Sequence, residues 1–304
     1  MECPFRGSIV ALPTPFDEKE ALDLEALRGL VQLHAGAATE AVVVAGTTGE
    51  APTLTPPERI ALIETAVEAA RGKLPVIAGV GTNCTRTTVE LAREAVAAGA
   101  HGLLVVTPYY NRPGARGLLT HFSRVAEATG APIMLYDVPA RTGVELPPEV
   151  ARELRRRHPN VVAAKVATTC VERIRRFVQE AGIATFCGED RRLAESAAVG
   201  AAGAVSVVGN LRPAAVAELL EHGRPQAEGG DPERAREVAA RLAPLIEVLA
   251  VEVNPVPVKA ALEVLGRCAA RVREPLVALE DANRARIEAV LASHAEPCSV
   301  LVGA

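Results

Sequence analysis

Short, nearly unbroken apolar runs alternate along this chain with longer stretches in which apolar residues recur every three or four positions. The first kind reads as buried strand and the second as amphipathic helix. Eight strand segments are expected: GSIVAL (7–12), AVVVA (41–45), PVIAGV (75–80), GLLVV (102–106), PIMLYD (132–137), VVAAK (161–165), ATFCG (184–188) and GAVSVV (203–208). The segments between them predict helices of roughly three turns, an ordinary globular length. TPPERIALIETAVEAA opens on a capping box, Thr55 to Glu58, with Pro56 at the first helical position. TRTTVELAREAVAAGA is expected to stop at Gly99, which can take the left-handed conformation that ends a helix.

Apolar strands alternating with helices imply an α/β fold with a parallel sheet covered on both faces. Eight repeats favour closure into a (β/α)8 TIM barrel. An open doubly wound sheet would carry a glycine-rich nucleotide loop after its first strand, where this chain reads PTPFDEKE. HGRPQAEGGDPERA, from His222, breaks the pattern, and helices are expected at about 232–250, 256–265 and 276–292. The organisation that follows is a barrel over residues 1–223, carrying the active site, and a C-terminal helical extension over 224–304.

Composition narrows the function. With 304 residues, 49% hydrophobic and 23% charged, the chain can bury a large core. A net charge of −4 argues against a nucleic-acid surface. No apolar run is long enough to span a bilayer, and the N-terminus lacks a secretory signal, so a cytoplasmic, non-membrane protein is expected. The six cysteines (Cys3, Cys84, Cys170, Cys187, Cys268, Cys298) and six histidines show no metal-ligand spacing. Reduced, mostly packed thiols and no metal or cofactor are expected. Only four lysines occur (Lys19, Lys73, Lys165, Lys259) beside 29 arginines, and only three tyrosines (Tyr109, Tyr110, Tyr136).

Lys165 is the odd residue. It ends the apolar run VVAAK, and a lysine is rarely buried without compensation. In such a barrel the site forms at the C-terminal ends of the strands. There the sequence places GTTGE with Thr47 and Thr48, TPYYNRPG with Tyr109 and Tyr110, Tyr136 followed by DVPARTG with Arg141, Lys165, and Gly188. A free lysine has a pKa near ~10.4, and apolar neighbours at Val161 to Ala164 should lower it towards a nucleophilic amine. Such an amine attacks a ketone to form a Schiff base. Tyrosine and threonine hydroxyls can relay the protons, and the planar fork of Arg141 suits a carboxylate. The residues therefore point to a metal-independent Schiff-base lyase acting on keto acids.

GSIVALPTPF, GTTGE, PVIAGVGTN, VTPYYNRP, LYDVPARTG, GAVSVVGN and VNPVPVKAAL together resemble the dihydrodipicolinate synthases of the N-acetylneuraminate lyase superfamily over nearly the whole chain. The resemblance implies condensation of pyruvate with L-aspartate 4-semialdehyde in lysine and diaminopimelate synthesis. It implies Lys165 as the Schiff-base lysine, Tyr136 as acid/base and Thr47 as relay between Tyr136 and Tyr110. Tyr110 would reach into a neighbouring subunit of a homotetramer built from dimers. Thr48 would bind the pyruvate carboxylate, Gly188 and Val205 would line the pyruvate pocket, and Arg141 would clamp the aldehyde's carboxylate. The family usually reads Lys-Glu-Ala-Thr-Gly where this chain has KVATT, with Val166 and Thr169. Val166 should point away from the lumen, since neighbouring strand residues face opposite sides.

Three rivals are weaker: another pyruvate-dependent aldolase of the superfamily, which Arg141 disfavours; a non-catalytic sensor, disfavoured by Lys165, Tyr136 and Thr47; and a phosphate or flavin barrel using GAAGAVSVVGN. His34, His101 and Lys259 are assigned structural roles, Lys259 in packing or an ion pair. Feedback inhibition by L-lysine is expected to be weak or absent. At positions matching the lysine site of regulated relatives (Asn83, Tyr109, Pro56, Arg59, Thr87), Thr87 replaces a favoured glutamate and Arg59 adds a positive charge, with Glu90 a partial substitute.

Overall fold

The computed structural model describes residues 1–294, so residues 295–304, Cys298 among them, lie outside the described residues. Eight strands, β1 (Gly7–Ala11), β2 (Ala41–Val44), β3 (Val76–Gly79), β4 (Gly102–Val106), β5 (Ile133–Asp137), β6 (Val161–Val166), β7 (Ala184–Cys187) and β8 (Gly203–Ser206), pair in parallel. They close into a barrel in chain order, with β1 bonded to both β2 and β8. This is the expected (β/α)8 barrel.

The helices between the strands cover its outside. They are α1 (Leu24–Ala35), α2 (Pro56–Ala70), α3 (Thr85–Ala97), α4 (Ala115–Thr129), the short α5 (Pro139–Thr142), α6 (Pro148–Arg157), α7 (Val171–Glu180), α8 (Leu193–Ala198) and α9 (Pro213–His222). The capping box of α2 forms as predicted, with the Thr55 hydroxyl and Glu58 carboxylate each accepting the other's backbone amide. α3 ends at Ala97, and Gly99 follows with φ +91.

Alternation along the strands splits the core in two. Val10, Val42, Leu103, Leu135 and Val166 pack outward under the helices, whereas Ile9, Val43, Ile77, Met134, Phe186 and Val205 fill the lumen. On β6 this alternation slips once. The β5–β6 register jumps from Ile133↔Val161 to Met134↔Ala163, leaving one extra residue on β6. Val161 faces outward, yet Ala163 belongs to the lumen cluster. Strict period-two alternation from Val161 would have turned Lys165 outward, and the extra residue turns it in.

Among the described residues three helices follow the barrel: α10 (Pro232–Val248), α11 (Val256–Val264) and α12 (Asp281–Ser293). The last departs from the expected 276–292. Leu276, Val277 and Leu279 are apolar but lie outside the helix, with Val277 68% exposed. The Glu252 carboxylate accepts the Glu280 amide and a bond from the Asn283 side chain, fixing the start of α12 after the apolar run. The thiols are less packed than expected. Cys187 is buried, Cys3 and Cys268 are half-buried, and Cys84 and Cys170 are exposed at the starts of α3 and α7.

Candidate active site

Lys165 and Tyr136 are register partners on adjacent strands, both near the C-terminal end of the barrel. Lys165 is only 6% exposed, and its Nζ lies 4.4 Å from the Tyr136 ring centroid. The Tyr136 hydroxyl is 3.5 Å from Thr47 Oγ1, a long contact in which either group can donate. A cavity of about 330 Å³ opens there, lined by Lys165, Tyr136, Thr47, Thr48, Arg141 and Gly188. A second, of about 250 Å³, shares Thr47, Tyr136 and Arg141 with the first and continues to Tyr109 and Arg59. The Thr47–Tyr136 contact stands between the two.

Gly188 follows β7 directly. A Cβ there would come within 2.8 Å of Lys165 Cε and 2.9 Å of Ala167 Cβ, so a larger residue would displace the lysine stem or the Ala167 segment. Val205 is buried in the lumen and pairs with Ile9 of β1. Arg141, on α5, lines both cavities, and its Nη2 donates to the Asn254 carbonyl at 3.3 Å. Tyr110 sits differently. It is 89% exposed with φ +70, and Tyr109 is the tyrosine of this loop that lines a cavity. Within one chain Thr47 thus meets Tyr136, while Tyr110 is presented to the surroundings.

The loop bearing Thr47 and Thr48 is held from the chain's far end. Thr48 Oγ1 accepts from Asn254 Nδ2 at 3.0 Å, and Asn254 Oδ1 is buried without a protein partner. Glu50, buried with φ +53, accepts from Lys259 Nζ at 2.7 Å and from the Arg273 amide at 2.9 Å. Burial pulls the Lys259 amine down and Glu50 acts against it. Lys259 is therefore an ion-pair residue, as expected from its sequence. His34 and His101 also have local partners, the Thr39 hydroxyl and the Val76 amide. Sequence reasoning missed Asn254, whose one visible signal was its place before Pro255 in VNPVPVKAAL. It also missed Asp190, whose carboxylate accepts the Val207 and Val208 amides and ties the β7 and β8 loops together.

The match to known proteins spans this whole assembly. Residues 4–294 fit the model of the dihydrodipicolinate synthetase family. The chain belongs to that family. A 4-hydroxy-tetrahydrodipicolinate synthase of Aquifex aeolicus is 42% identical over 96% of this chain and 99% of its own length. The crystal structure of dihydrodipicolinate synthase from that organism superposes with a TM-score of 0.91, covering 95% of this chain and 98% of the other. A chloride-inhibited dihydrodipicolinate synthase from Acinetobacter baumannii, complexed with pyruvate, gives 0.90 at 36% identity, covering 95% and 98%. A dihydrodipicolinate synthase variant described as monomeric also gives 0.90, at 39% identity over 95% and 97%. Val166, where the resemblance implies a glutamate, packs its side chain in the outer core and does not line the cavity.

Proposed function

We propose that this chain is a 4-hydroxy-tetrahydrodipicolinate synthase, a lyase that condenses pyruvate with L-aspartate 4-semialdehyde on Lys165. The observation that carries the reading is the buried Lys165 amine beside Tyr136, in a cavity also lined by Thr47, Thr48 and Arg141. The Lys165 amine adds to the pyruvate ketone, and loss of water gives an imine. Tyr136 delivers and removes the protons, with Thr47 as its relay. Loss of a methyl proton turns the imine into an enamine, whose carbon bonds to the aldehyde carbon while the aldehyde oxygen takes up a proton. The amine of the semialdehyde then closes the ring onto the imine carbon and expels Lys165. Thr48 binds the pyruvate carboxylate, Gly188 shapes the pocket around it with Val205 packed in the lumen core, and Arg141 clamps the carboxylate of the second substrate.

The barrel of residues 1–223 holds this machinery, and the extension from 224 braces it through Asn254 and Lys259. The assembly is a homotetramer of dimers in which Tyr110 completes the relay of a partner subunit. Its exposure and positive φ support that placement. Mixed dimers of Tyr110→Phe and Lys165→Ala chains should then regain activity, and verified hybrids that stay inactive would rule out the shared relay. Among the described residues no helix is long and apolar enough to cross a membrane, and a cytoplasmic setting fits the reaction's soluble substrates. A coupled assay with pyruvate and a panel of aldehydes tests the function. L-aspartate 4-semialdehyde should be preferred by orders of magnitude, and equal turnover of another aldehyde would overturn the assignment.

A further inference from the structure

Behind Tyr136 and Lys165, on the outer side of the barrel wall, lies a buried ion pair that the reaction does not use. Asp137 follows Tyr136 and pairs in register with Val166, as Tyr136 does with Lys165. Its side chain is fully buried. Oδ2 accepts from Arg173 Nε at 2.9 Å and Nη2 at 2.7 Å, and Oδ1 accepts the Leu146 amide at 2.8 Å. Arg173, on α7, also donates to the Leu146 carbonyl at 3.0 Å and to Glu145 at 3.1 Å. Burial pushes the Asp137 carboxyl up, while the Leu146 amide and the Arg173 guanidinium pull it down.

The segment these contacts close is the one that carries Arg141. It leaves β5 at Val138, forms α5 and returns at Leu146, where one carboxylate and one guanidinium grip both the amide and the carbonyl of the same residue. Buried ion pairs rarely beat well-packed apolar residues for stability, so such a pair is better explained by the geometry it fixes. An apolar residue at 137 could satisfy neither the Leu146 amide nor Arg173. We propose that the Asp137–Arg173 pair is a positioning device that clamps the base of the 138–145 loop and so holds Arg141 at the angle that captures the second substrate's carboxylate. The inference rests on the reading of Arg141 given above.

The test compares KM for pyruvate with KM for L-aspartate 4-semialdehyde. Asp137→Asn keeps an acceptor for the Leu146 amide but removes the charge that anchors Arg173. It should raise the aldehyde KM about tenfold, as expected for one lost charge-assisted contact. The pyruvate KM and the yield of borohydride-trapped imine should stay within about twofold, a split that a general loss of stability would not produce. If Asp137→Asn does not fold, Arg173→Lys, which keeps the charge but loses the fork, should show the same selective rise. Equal shifts in both KM values, or a lower melting temperature alone, overturn the proposal. Arg141→Ala separates the two layers: no rise in its aldehyde KM refutes the reading of Arg141 and the clamp with it, whereas a rise there without one in Asp137→Asn refutes the clamp alone.

Discussion

Lys165 and Tyr136 face each other across the β5–β6 pair, the amine 4.4 Å from the ring centroid, because β6 carries one residue more than its neighbour. That inserted residue brings an amine and a phenol together inside the barrel and leaves Val166 outside it. Removing the Tyr136 hydroxyl should therefore affect chemistry and not folding. Tyr136→Phe is expected to lower kcat by on the order of 10²–10⁴ with little change in melting temperature, and Thr47→Val should lower it in the same direction. Near-normal kcat in both would mean that the protons travel another way.

The Glu50–Lys259 pair predicts a stability effect of a different kind. Both side chains are almost fully buried, and removing one leaves the other charged and unpaired. Lys259→Met should cost about 3–5 kcal/mol in denaturant unfolding, and Glu50→Gln a similar amount. The Lys259→Met/Glu50→Gln double variant should cost less than the sum of the two. An additive double variant would show that the two residues act separately.

Acid should weaken the fold from near neutrality downward. Burial lowers His34 and His121 to about 4, below their ordinary 6.5. Between those values the unfolded chain binds protons that the folded chain refuses, so stability falls as pH drops from about 6.5 towards 4, by at most about 3 kcal/mol for each histidine. Melting temperature against pH should show this slope, and the His34→Asn/His121→Asn variant should flatten it. An unchanged slope would place the acid sensitivity elsewhere.

L-lysine should inhibit weakly. The Arg59 guanidinium already donates to the Gly79 and Ala51 carbonyls, which fixes its charge in the wall of the cavity shared with Tyr109. In the lysine site that the family resemblance implies, a doubly aminated ligand would meet that charge, with Thr87 in place of a carboxylate to offset it. One missing charge-assisted bond corresponds to roughly ten- to a hundredfold in affinity. Initial rates at subsaturating pyruvate should therefore hold up beyond millimolar lysine, and half-inhibition below a millimolar would contradict this.

The barrel was readable from sequence because its strands are buried on both faces and stand out as apolar runs between amphipathic helices. Lys165 was readable for the converse reason: a charge inside such a run demands an explanation. Its inward direction followed from the resemblance and not from local alternation, since the register shift beside Val162 depends on pairing with β5 and leaves no mark in the local pattern. Asn254 and Asp190 were missed because their roles are set by partners elsewhere in the chain, Thr48 and the Val207 and Val208 amides. The start of α12 was misplaced because Leu276, Val277 and Leu279 mimic a helix face until the Glu252 contacts are known.

Covalent attachment of pyruvate at Lys165 is the step on which the proposed chemistry depends. Incubation with pyruvate and borohydride, followed by intact-mass measurement and peptide mapping, should place one reduced pyruvate on Lys165 and none on Lys19, Lys73 or Lys259. An adduct on another lysine, or unchanged turnover in Lys165→Ala, would contradict it.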